Sequence, residues 1–199
     1  MIRLLVNIRG CNGAGKSTIP LSMMDDPDVY TVEKPYEGRV RQILTVFPNY
    51  KWVALGSYTG KTGGLDRFPD KIITEKALWY ALKKFPEYDV VMEGILASTV
   101  FSTYSDIFHR VEEKYSDTKV IVFNMLPPFE TCLKRVYSRN GGKPVKEEQI
   151  ENKWKIVQRN IQKFKNEGFI ALKVDTSKVS KDAMLPKFLK TVNKYKEDV

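Results

Sequence analysis

Short apolar runs alternate along the chain with segments in which apolar residues recur at the spacing of an amphipathic helix. The apolar runs are typical of strands and occupy residues 2–8, 29–32, 51–55, 89–92, 119–124 and 170–174. Helices are predicted at residues 16–23, 71–84, 103–115, 127–139, 147–166 and 181–196, the last of them kinked near Pro186. This alternation predicts an α/β fold with a parallel sheet flanked by helices.

The least regular part of the chain lies between Glu33 and Asp70, and it is rich in glycine, proline and aromatic residues. Irregular segments of this length inside a compact domain are usually functional. The chain has 199 residues, a length that fits one domain with a sizeable core. We therefore expect a single domain over residues 1–199, with a substrate-side insertion at about residues 34–70.

The first glycine-rich loop has the sequence Gly10-Cys11-Asn12-Gly13-Ala14-Gly15-Lys16-Ser17, which fits the pattern G-x-x-x-x-G-K-[ST] at full spacing. It follows an apolar strand and precedes a helix. Glycines let backbone N–H groups turn inward around phosphates, and the helix N-terminus adds a partial positive charge. In this pattern Lys16 reaches the β- and γ-phosphates and Ser17 ligates magnesium. The predicted nucleotide-binding residues are Gly10, Asn12, Gly13, Ala14, Gly15, Lys16, Ser17 and Thr18.

A second glycine-rich loop, residues 56–67, contains Gly60-Lys61-Thr62 and so resembles the end of a phosphate-binding loop. Its spacing differs, because three residues rather than four separate the first two glycines, and more glycines and Pro69 follow in place of a helix. The loop is either a surface turn or a substrate-side loop, and its charged residues favour the second interpretation. The predicted acceptor-binding residues are Tyr58, Lys61, Gly63, Gly64, Asp66 and Arg67.

Glu93 follows the apolar run Val90-Val91-Met92 and is the strongest candidate for a metal-binding carboxylate. Carboxylates at the C-terminal end of such a strand face the nucleotide crevice. A buried charge there is costly unless a magnesium shell or a substrate contact compensates it. Ser17 and Glu93 are therefore the predicted metal ligands, and an exposed turn glutamate is the alternative.

Arg135 and Arg139 end a predicted helix, and the glycine turn Asn140-Gly141-Gly142-Lys143-Pro144 follows. This arrangement resembles the lid of nucleotide kinases, and we place such a lid at about residues 139–147. Arginines in a lid neutralise charge on the transferring phosphoryl group. Arginine is also common at the C-terminal end of any helix, which is the alternative interpretation.

Other classes of P-loop protein fit the sequence less well. A GTPase would carry N-K-x-D after a strand, whereas Asn152-Lys153-Trp154-Lys155 and Asn193-Lys194-Tyr195-Lys196 lack the aspartate. A motor or helicase ATPase usually has an apolar strand that ends in Asp-Glu, and here the strand ends in Glu93-Gly94. The size of the chain favours a P-loop NTPase fold of the nucleoside/nucleotide kinase type.

The formal net charge of +9 indicates either simple solubility or a polyanionic partner such as DNA. Two cysteines and one histidine argue against a disulfide scaffold and against a structural zinc site. No apolar run is long enough to span a bilayer. We therefore expect a cytoplasmic protein with no membrane partner and no structural metal.

A second carboxylate, Glu33, lies in Thr31-Val32-Glu33-Lys34-Pro35. This segment resembles the Glu-Pro region at a strand end in deoxynucleoside kinases, where such a glutamate takes the proton from the acceptor hydroxyl. Lys34 is an insertion relative to that pattern. Asp66 is the rival base, and proton transfer requires that the chosen carboxylate lie within hydrogen-bond reach of the hydroxyl.

Three segments together, the P-loop, Gly63-Gly64-Leu65-Asp66 and Val91-Met92-Glu93-Gly94, resemble bacteriophage P-loop kinases that phosphorylate 5-hydroxymethyluracil within DNA. The likeness runs in order from Ile2 to about Arg139. It implies an ATP- and Mg²⁺-dependent kinase that acts on DNA in the host cytoplasm. The alternatives are a free deoxynucleoside monophosphate kinase and a nucleic-acid-binding NTPase without kinase activity. ATP and GTP are not distinguished, and the oligomeric state stays open.

Overall fold

The protein is described by a computed structural model that covers residues 2–59 and 63–197. The strands are β1 Arg3–Arg9, β2 Tyr30–Tyr36, β3 Arg39–Phe47, β4 Trp52–Leu55, β5 Asp89–Glu93, β6 Thr118–Met125 and β7 Ile170–Val174. The helices are α1 Thr18–Ser22, α2 Lys71–Lys84, α3 Ile95–Thr99, α4 Ser102–Lys114, α5 Phe129–Arg139, α6 Glu147–Asn166 and α7 Lys181–Glu197. A short 3₁₀ turn spans Leu65–Arg67. The predicted α/β class is confirmed.

All the strands belong to one sheet in the order β2-β3-β4-β5-β1-β6-β7. The neighbours from β4 to β7 run parallel, whereas β2, β3 and β4 pair antiparallel. The prediction of a purely parallel sheet is therefore wrong, and the sheet is mixed. Two tight turns cause the difference. Glu37 and Gly38, with φ of 48° and 72°, return the chain beside β2, and the turn that ends at Lys51, with φ of 55°, returns β4 beside β3.

The segment predicted to be least regular, residues 33–70, contains this hairpin and the whole of β3. The first four residues of β3 are exposed or half-buried and mostly polar, while the last five are buried at every position. Apolar and polar residues do not alternate strictly along such a strand, and its apolar residues do not form an uninterrupted run, so the residue pattern does not predict a strand here.

Alternate residues of β1 pack into two apolar layers on opposite faces of the sheet. Leu5 faces a layer that includes buried residues of α2, α4 and α6. Leu4, Val6 and Ile8 face a layer that includes buried residues of α1, α5 and α7. This period of two is the geometry of a strand between helices on both faces. No helix within the described residues is long and apolar enough to cross a membrane.

The parallel strands place their C-terminal ends at one edge of the sheet. Three segments singled out by sequence lie at this edge: residues 10–17 after β1, residues 56–67 after β4, and Glu93-Gly94 at the end of β5. The fold therefore brings these segments together, as expected for the ligand edge of a parallel sheet.

Candidate active site

The loop of residues 10–17 connects β1 to α1 and packs against α5. Gly13 and Gly15 have φ of 80° and 96°, and a Cβ on Gly13 would lie 2.2 Å from the carbonyl oxygen of Cys132. Only glycine fits both the backbone conformation and that close approach. The buried Lys16 ammonium donates to the carbonyl oxygens of Gly10 (3.0 Å) and Cys11 (3.2 Å). Burial lowers the pKa of Lys16, and the nearby Glu93 carboxylate opposes that effect.

Glu93 ends β5 beside Ile8 of β1 and is only 1% exposed. Its Oε1 accepts a hydrogen bond from the Ser17 hydroxyl at 3.1 Å, and its Oε2 has no hydrogen-bond partner among the described residues. Burial raises the pKa of Glu93 to about 7; the Lys16 ammonium lowers it and the Asp66 carboxylate adds to the increase. This burial excludes the alternative of an exposed turn glutamate.

The described parts of the second glycine-rich loop, residues 56–59 and 63–67, pair at Ser57 and Gly64 and pack against the end of β5. Gly64 donates its N–H to the Ser57 carbonyl at 3.1 Å, and the Arg67 guanidinium donates to the Ser57 hydroxyl at 2.8 Å. Gly64 has φ of 60°, and a Cβ there would lie 2.5 Å from both the carbonyl oxygen and Oε1 of Glu93. The loop thus lies directly against the buried carboxylate. Lys61, predicted to bind the acceptor, lies outside the described residues.

Asp66 projects from the 3₁₀ turn towards the same space. Its Oδ1 accepts a hydrogen bond from the backbone N–H of Ile95, the first residue of α3, at 2.7 Å. The carboxylate is exposed. The neighbouring Tyr58 is buried, and its hydroxyl has no hydrogen-bond partner among the described residues. One oxygen of Asp66 therefore fixes the turn to α3, while the other is not required for that contact.

Two arginines of α5 approach the P-loop. Arg135 donates to the carbonyl oxygen of Thr176 at 2.8 Å and, over a longer 3.5 Å, to that of Gly13. Thr176 in turn donates to the carbonyl oxygen of Ala14 at 3.1 Å. Arg139 is exposed at the last position of α5, and residues 140–146 link it to α6. Arg135 is thus anchored to the loop, and Arg139 stands at the edge of the site.

These segments enclose one cleft of about 420 Å³. The predicted site residues that line it are Asn12, Gly13, Gly15, Lys16, Ser17, Thr18, Tyr58, Gly63, Asp66, Glu93, Arg135 and Arg139. Cys11, Leu21 and Ile95 also line the cleft, and sequence reasoning missed them. Ile95 lies two residues after Glu93, and this proximity in the sequence could have identified it as a residue of the cleft. Gly10, Ala14, Gly64 and Arg67 are not part of its lining.

Glu33 does not belong to this group. The expectation that it ends a strand at the cleft is wrong, because it lies in the middle of β2 and is exposed. A register shift at Val32 and Glu33 carries β2 on to Tyr36. In the sheet, β3 and β4 separate β2 from β5 and its Glu93.

Ser17 and Glu93 offer the ligands that a magnesium ion prefers. Within residues 2–59 and 63–197 there is no cluster of three or more His, Cys, Asp or Glu side chains suited to a metal. Magnesium does not require one, because it is usually held by one or two carboxylates together with substrate phosphates and water. The unpartnered, buried Oε2 of Glu93 beside the Ser17 hydroxyl fits that set of ligands.

Comparisons with known proteins agree with this geometry. Residues 3–181 match the family described as 5-hmdU DNA kinase. The chain is 44% identical over 178 residues to the 5-hmdU DNA kinase of Bacillus phage SP10, with 87% of this chain and 27% of that protein covered. It is 36% identical over 168 residues to 5-hmdU DNA kinase 1 of Salmonella phage ViI, with 81% and 70% covered.

A third relative, the 5-hmdU DNA kinase of Pseudomonas phage M6, is 29% identical over 170 residues, with 77% of this chain and 81% of that protein covered. The chain thus spans about a quarter of the SP10 protein but most of the other two. The family match covers nearly the whole chain, and the resemblance inferred from the P-loop, the loop of Asp66 and the end of β5 is confirmed. The chain belongs to the 5-hmdU DNA kinase family.

Proposed function

We propose that this protein is a kinase that transfers the terminal phosphoryl group of ATP to the hydroxymethyl oxygen of 5-hydroxymethyluracil in DNA. The observation that carries the proposal is the single cleft in which the P-loop, the buried Glu93 and the Asp66 carboxylate meet. The names of the relatives point to the same acceptor, and the net charge of +9 suits a DNA partner.

Nucleotide binding follows from the position of the P-loop. It leaves the central parallel strand β1, and the parallel order β4-β5-β1-β6-β7 supports a P-loop NTPase fold of the nucleotide kinase type. Backbone N–H groups of the loop and the start of α1 would surround the phosphates of ATP. Lys16 would exchange its two carbonyl partners for β- and γ-phosphate oxygens, which are stronger acceptors because they carry charge.

Ser17 and Glu93 would hold Mg²⁺, whose positive charge neutralises charge that develops on the β- and γ-phosphates. Arg135 and Arg139 would add positive charge from the opposite side of the cleft, and residues 139–147 would form the lid that excludes water. Residues 34–70 contribute the acceptor side through the loop that contains Asp66, within one domain that spans the chain.

Asp66 is the base that the geometry supports. One of its oxygens is bonded to the Ile95 N–H, so the carboxylate is fixed in direction while the other oxygen can accept a proton. The hydroxymethyl oxygen forms a bond to the γ-phosphorus as the bond from that phosphorus to the β–γ bridging oxygen breaks. ADP leaves, and the hydroxyl proton passes to Asp66.

The test is γ-phosphate transfer measured in parallel on a duplex that contains 5-hydroxymethyluracil, on the same duplex with thymine, and on free 5-hydroxymethyldeoxyuridine monophosphate. We expect transfer to the first substrate alone, and its loss in Lys16→Ala. Transfer to the free nucleotide but not to the duplex would instead support a nucleotide kinase. ATP hydrolysis without transfer to any acceptor would support an NTPase.

A further inference from the structure

The hairpin of β2 and β3 continues beyond the end of β4 at the edge of the sheet that holds the cleft. Leu44 of β3 pairs with Leu55, the last residue of β4. Beyond this point the chain forms a two-stranded ribbon, in which residues 33–36 pair with residues 39–42. Because β2 runs in the same direction as β4 and β5, the ribbon points the same way as the C-terminal ends of those strands. At about 3.3 Å per residue, the ribbon extends about 13 Å past β4.

The ribbon carries its positive charge on one face. Residues that pair directly across an antiparallel ribbon share a face, and so do alternate residues of one strand. Lys34 pairs with Arg41, and Tyr36 pairs with Arg39, so these four side chains share a face. The other face holds Glu33, Pro35, Val40 and Gln42. The ribbon therefore has one face suited to an anionic partner.

Helix α2 adds a fourth cation to this side of the ribbon. The Lys76 ammonium lies 5.4 Å from the centre of the Tyr36 ring, and the Lys34 ammonium lies 4.6 Å from the centre of the Tyr80 ring. Lys34, Arg39 and Lys76 are exposed. We call the surface formed by Lys34, Arg39, Arg41 and Lys76 the basic face.

The protein leaves the charge of the basic face largely uncompensated. In the part of the chain that the structure describes, none of its four cations forms an ion pair, and the buried Nε of Arg41 has no hydrogen-bond partner. Two carboxylates, Asp70 and Glu37, lie near the Tyr36 hydroxyl. Asp70 accepts from that hydroxyl at 2.7 Å and from two backbone N–H groups at the start of α2, so it has hydrogen-bond partners already. Positive charge of this kind on a protruding element attracts a polyanion.

The base of the ribbon is joined to the loop that lines the cleft. Gly56 donates its N–H to the Ile43 carbonyl at 2.7 Å, and the Thr45 hydroxyl donates to the Gly56 carbonyl at 2.9 Å. Tyr58, two residues further on, lines the cleft. In the sheet, β3 and β2 lie two and three strands from β5, which ends in Glu93. At the usual spacing of strands these separations are about 10 and 14 Å.

We propose that the basic face binds the phosphates of the duplex that flanks the acceptor base. The inference rests on the proposed function for the identity of the partner, and it adds where the protein holds the DNA. Each strand of a duplex rises about 3.4 Å per base, so a separation of about 10 to 14 Å corresponds to phosphates about three to four base pairs from the acceptor. Phosphate contacts position a protein on a duplex without reading its sequence. The ribbon would therefore position the DNA, and the cleft would select the base.

Arg39→Gln and Arg41→Gln each remove one positive charge from the basic face. Lys173→Gln is the matched control, because Lys173 is exposed on β7 at the opposite edge of the sheet. Each protein is titrated by fluorescence anisotropy, at a series of salt concentrations, with a labelled duplex that contains one 5-hydroxymethyluracil and with the same duplex containing thymine. ATP affinity and the denaturation midpoint are measured for each variant, and γ-phosphate transfer is measured for the unsubstituted protein.

We expect the slope of log affinity against log salt concentration to become shallower by about 1 in each arginine variant, since one phosphate contact is lost. The double variant should lose about 2. Both duplexes should give the same change, because the contacts do not involve the bases. ATP affinity and the denaturation midpoint should stay near those of the unsubstituted protein, and Lys173→Gln should keep its salt dependence.

A second measurement locates the contact on the DNA. Single phosphates on either side of the acceptor are replaced, one at a time, by uncharged methylphosphonates. The unsubstituted protein should lose affinity when the replaced phosphate lies about three to four base pairs from the acceptor. Arg39→Gln or Arg41→Gln should lose little more at that position, because the charge that faces the phosphate is already absent.

Equal salt dependence in Arg39→Gln, Arg41→Gln, Lys173→Gln and the unsubstituted protein would overturn the basic face as a DNA site, even if phosphate transfer to DNA is observed. The cations would then serve only to protect an exposed sheet edge from pairing with another chain. If the salt dependence falls in the arginine variants but the unsubstituted protein transfers no phosphate to the duplex, the proposed function fails and the DNA site stands. Failure of the unsubstituted protein to bind the duplex at low salt would overturn the DNA site.

Discussion

Glu93→Gln should make the stability of the protein less dependent on pH, because it removes a buried carboxyl that resists ionisation. Glutamine has nearly the same shape, and its Oε1 can still accept the hydrogen bond from Ser17. The amide nitrogen of glutamine replaces the unpartnered Oε2 of Glu93. Burying this N–H donor without a partner costs free energy, but the cost does not vary with pH. The pH-dependent part of the effect therefore isolates the ionisation of Glu93.

The magnitude follows from the pKa. Burial raises the pKa of Glu93 from 4.5 to about 7 in the folded state. When the pKa of a carboxyl is higher in the folded state than in the unfolded state, protonation of that carboxyl stabilises the folded protein. This stabilisation is complete below the unfolded-state pKa and is lost as the pH rises through the folded-state pKa. The interval between the two values, at about 1.4 kcal/mol per pH unit, corresponds to about 3 kcal/mol. The unsubstituted protein should lose about that much stability from this group between pH 4.5 and pH 8.

The assay is urea denaturation of the unsubstituted protein and of Glu93→Gln at pH 5 and pH 8, without divalent cations. The quantity of interest is the change in unfolding free energy between the two pH values, compared between the proteins. Glu75→Gln is the control, because its hydrogen bond with Arg110 lowers the pKa of Glu75 and it stays ionised throughout this range. Glu75→Gln should therefore change stability equally at both pH values.

The reasoning about Glu93 is refuted if its substitution shifts the unfolding free energy equally at pH 5 and pH 8. It is also refuted if Glu93→Gln increases the loss of stability at pH 8, since that would require Glu93 to be better stabilised as an anion in the folded protein than in water.

Three further substitutions test the cleft. Lys16→Ala should abolish phosphoryl transfer, a loss of several kcal/mol in transition-state stabilisation, while its circular dichroism spectrum stays that of the unsubstituted protein. Asp66→Asn should reduce transfer by about 10² to 10⁴, the usual contribution of a general base, with ATP affinity measured by calorimetry nearly unchanged. Arg139→Ala should lower the turnover number more than it raises the KM for DNA, because the proposed role of this cleft residue is to neutralise charge on the transferring phosphoryl group.

Each of these has a contradicting outcome. Nucleotide affinity that survives in Lys16→Ala together with full transfer would place the phosphates elsewhere. Loss of ATP affinity in Asp66→Asn, with transfer at saturating ATP preserved, would move Asp66 to the nucleotide. An unchanged turnover number in Arg139→Ala would leave this arginine as ordinary charge at the end of a helix.

The P-loop could be predicted because its sequence encodes local backbone geometry. Gly13 and Gly15 take up left-handed conformations, and the pattern fixes them relative to Lys16 and Ser17 whatever surrounds them. The position of Glu93 was predictable for a related reason, since a carboxylate after an apolar run stands at a strand end. In both cases the information lies within a few residues of chain.

The antiparallel hairpin and α3 could not be predicted, because each depends on contacts between distant segments. The five residues of α3 are too few for a helical period, and the helix is positioned by Arg9, some 89 residues earlier in the chain. Glu33 was misplaced for the same reason: the resemblance was local, whereas the hairpin and the register shift that carry β2 past Glu33 are set by pairing with β3.

The cost of burying Glu93 has a consequence for the proposed activity. Burial raises the pKa of the Glu93 carboxyl to about 7, and the nearby Asp66 carboxylate further disfavours its ionisation. Positive charge that binds together with the nucleotide would stabilise the ionised Glu93 carboxylate. Binding of such a ligand would therefore recover the free energy that ionisation of the buried carboxyl otherwise costs. Burial of Glu93 would therefore lower the stability of the protein without ligand and, in the proposed function, raise its affinity for a cation bound with phosphate. In the proposed function, the bond from the Ile95 N–H holds one oxygen of Asp66 and leaves the other for the acceptor hydroxyl. The two carboxylates would thereby have different roles, since Glu93 is buried at the end of β5 whereas Asp66 is exposed in the 3₁₀ turn.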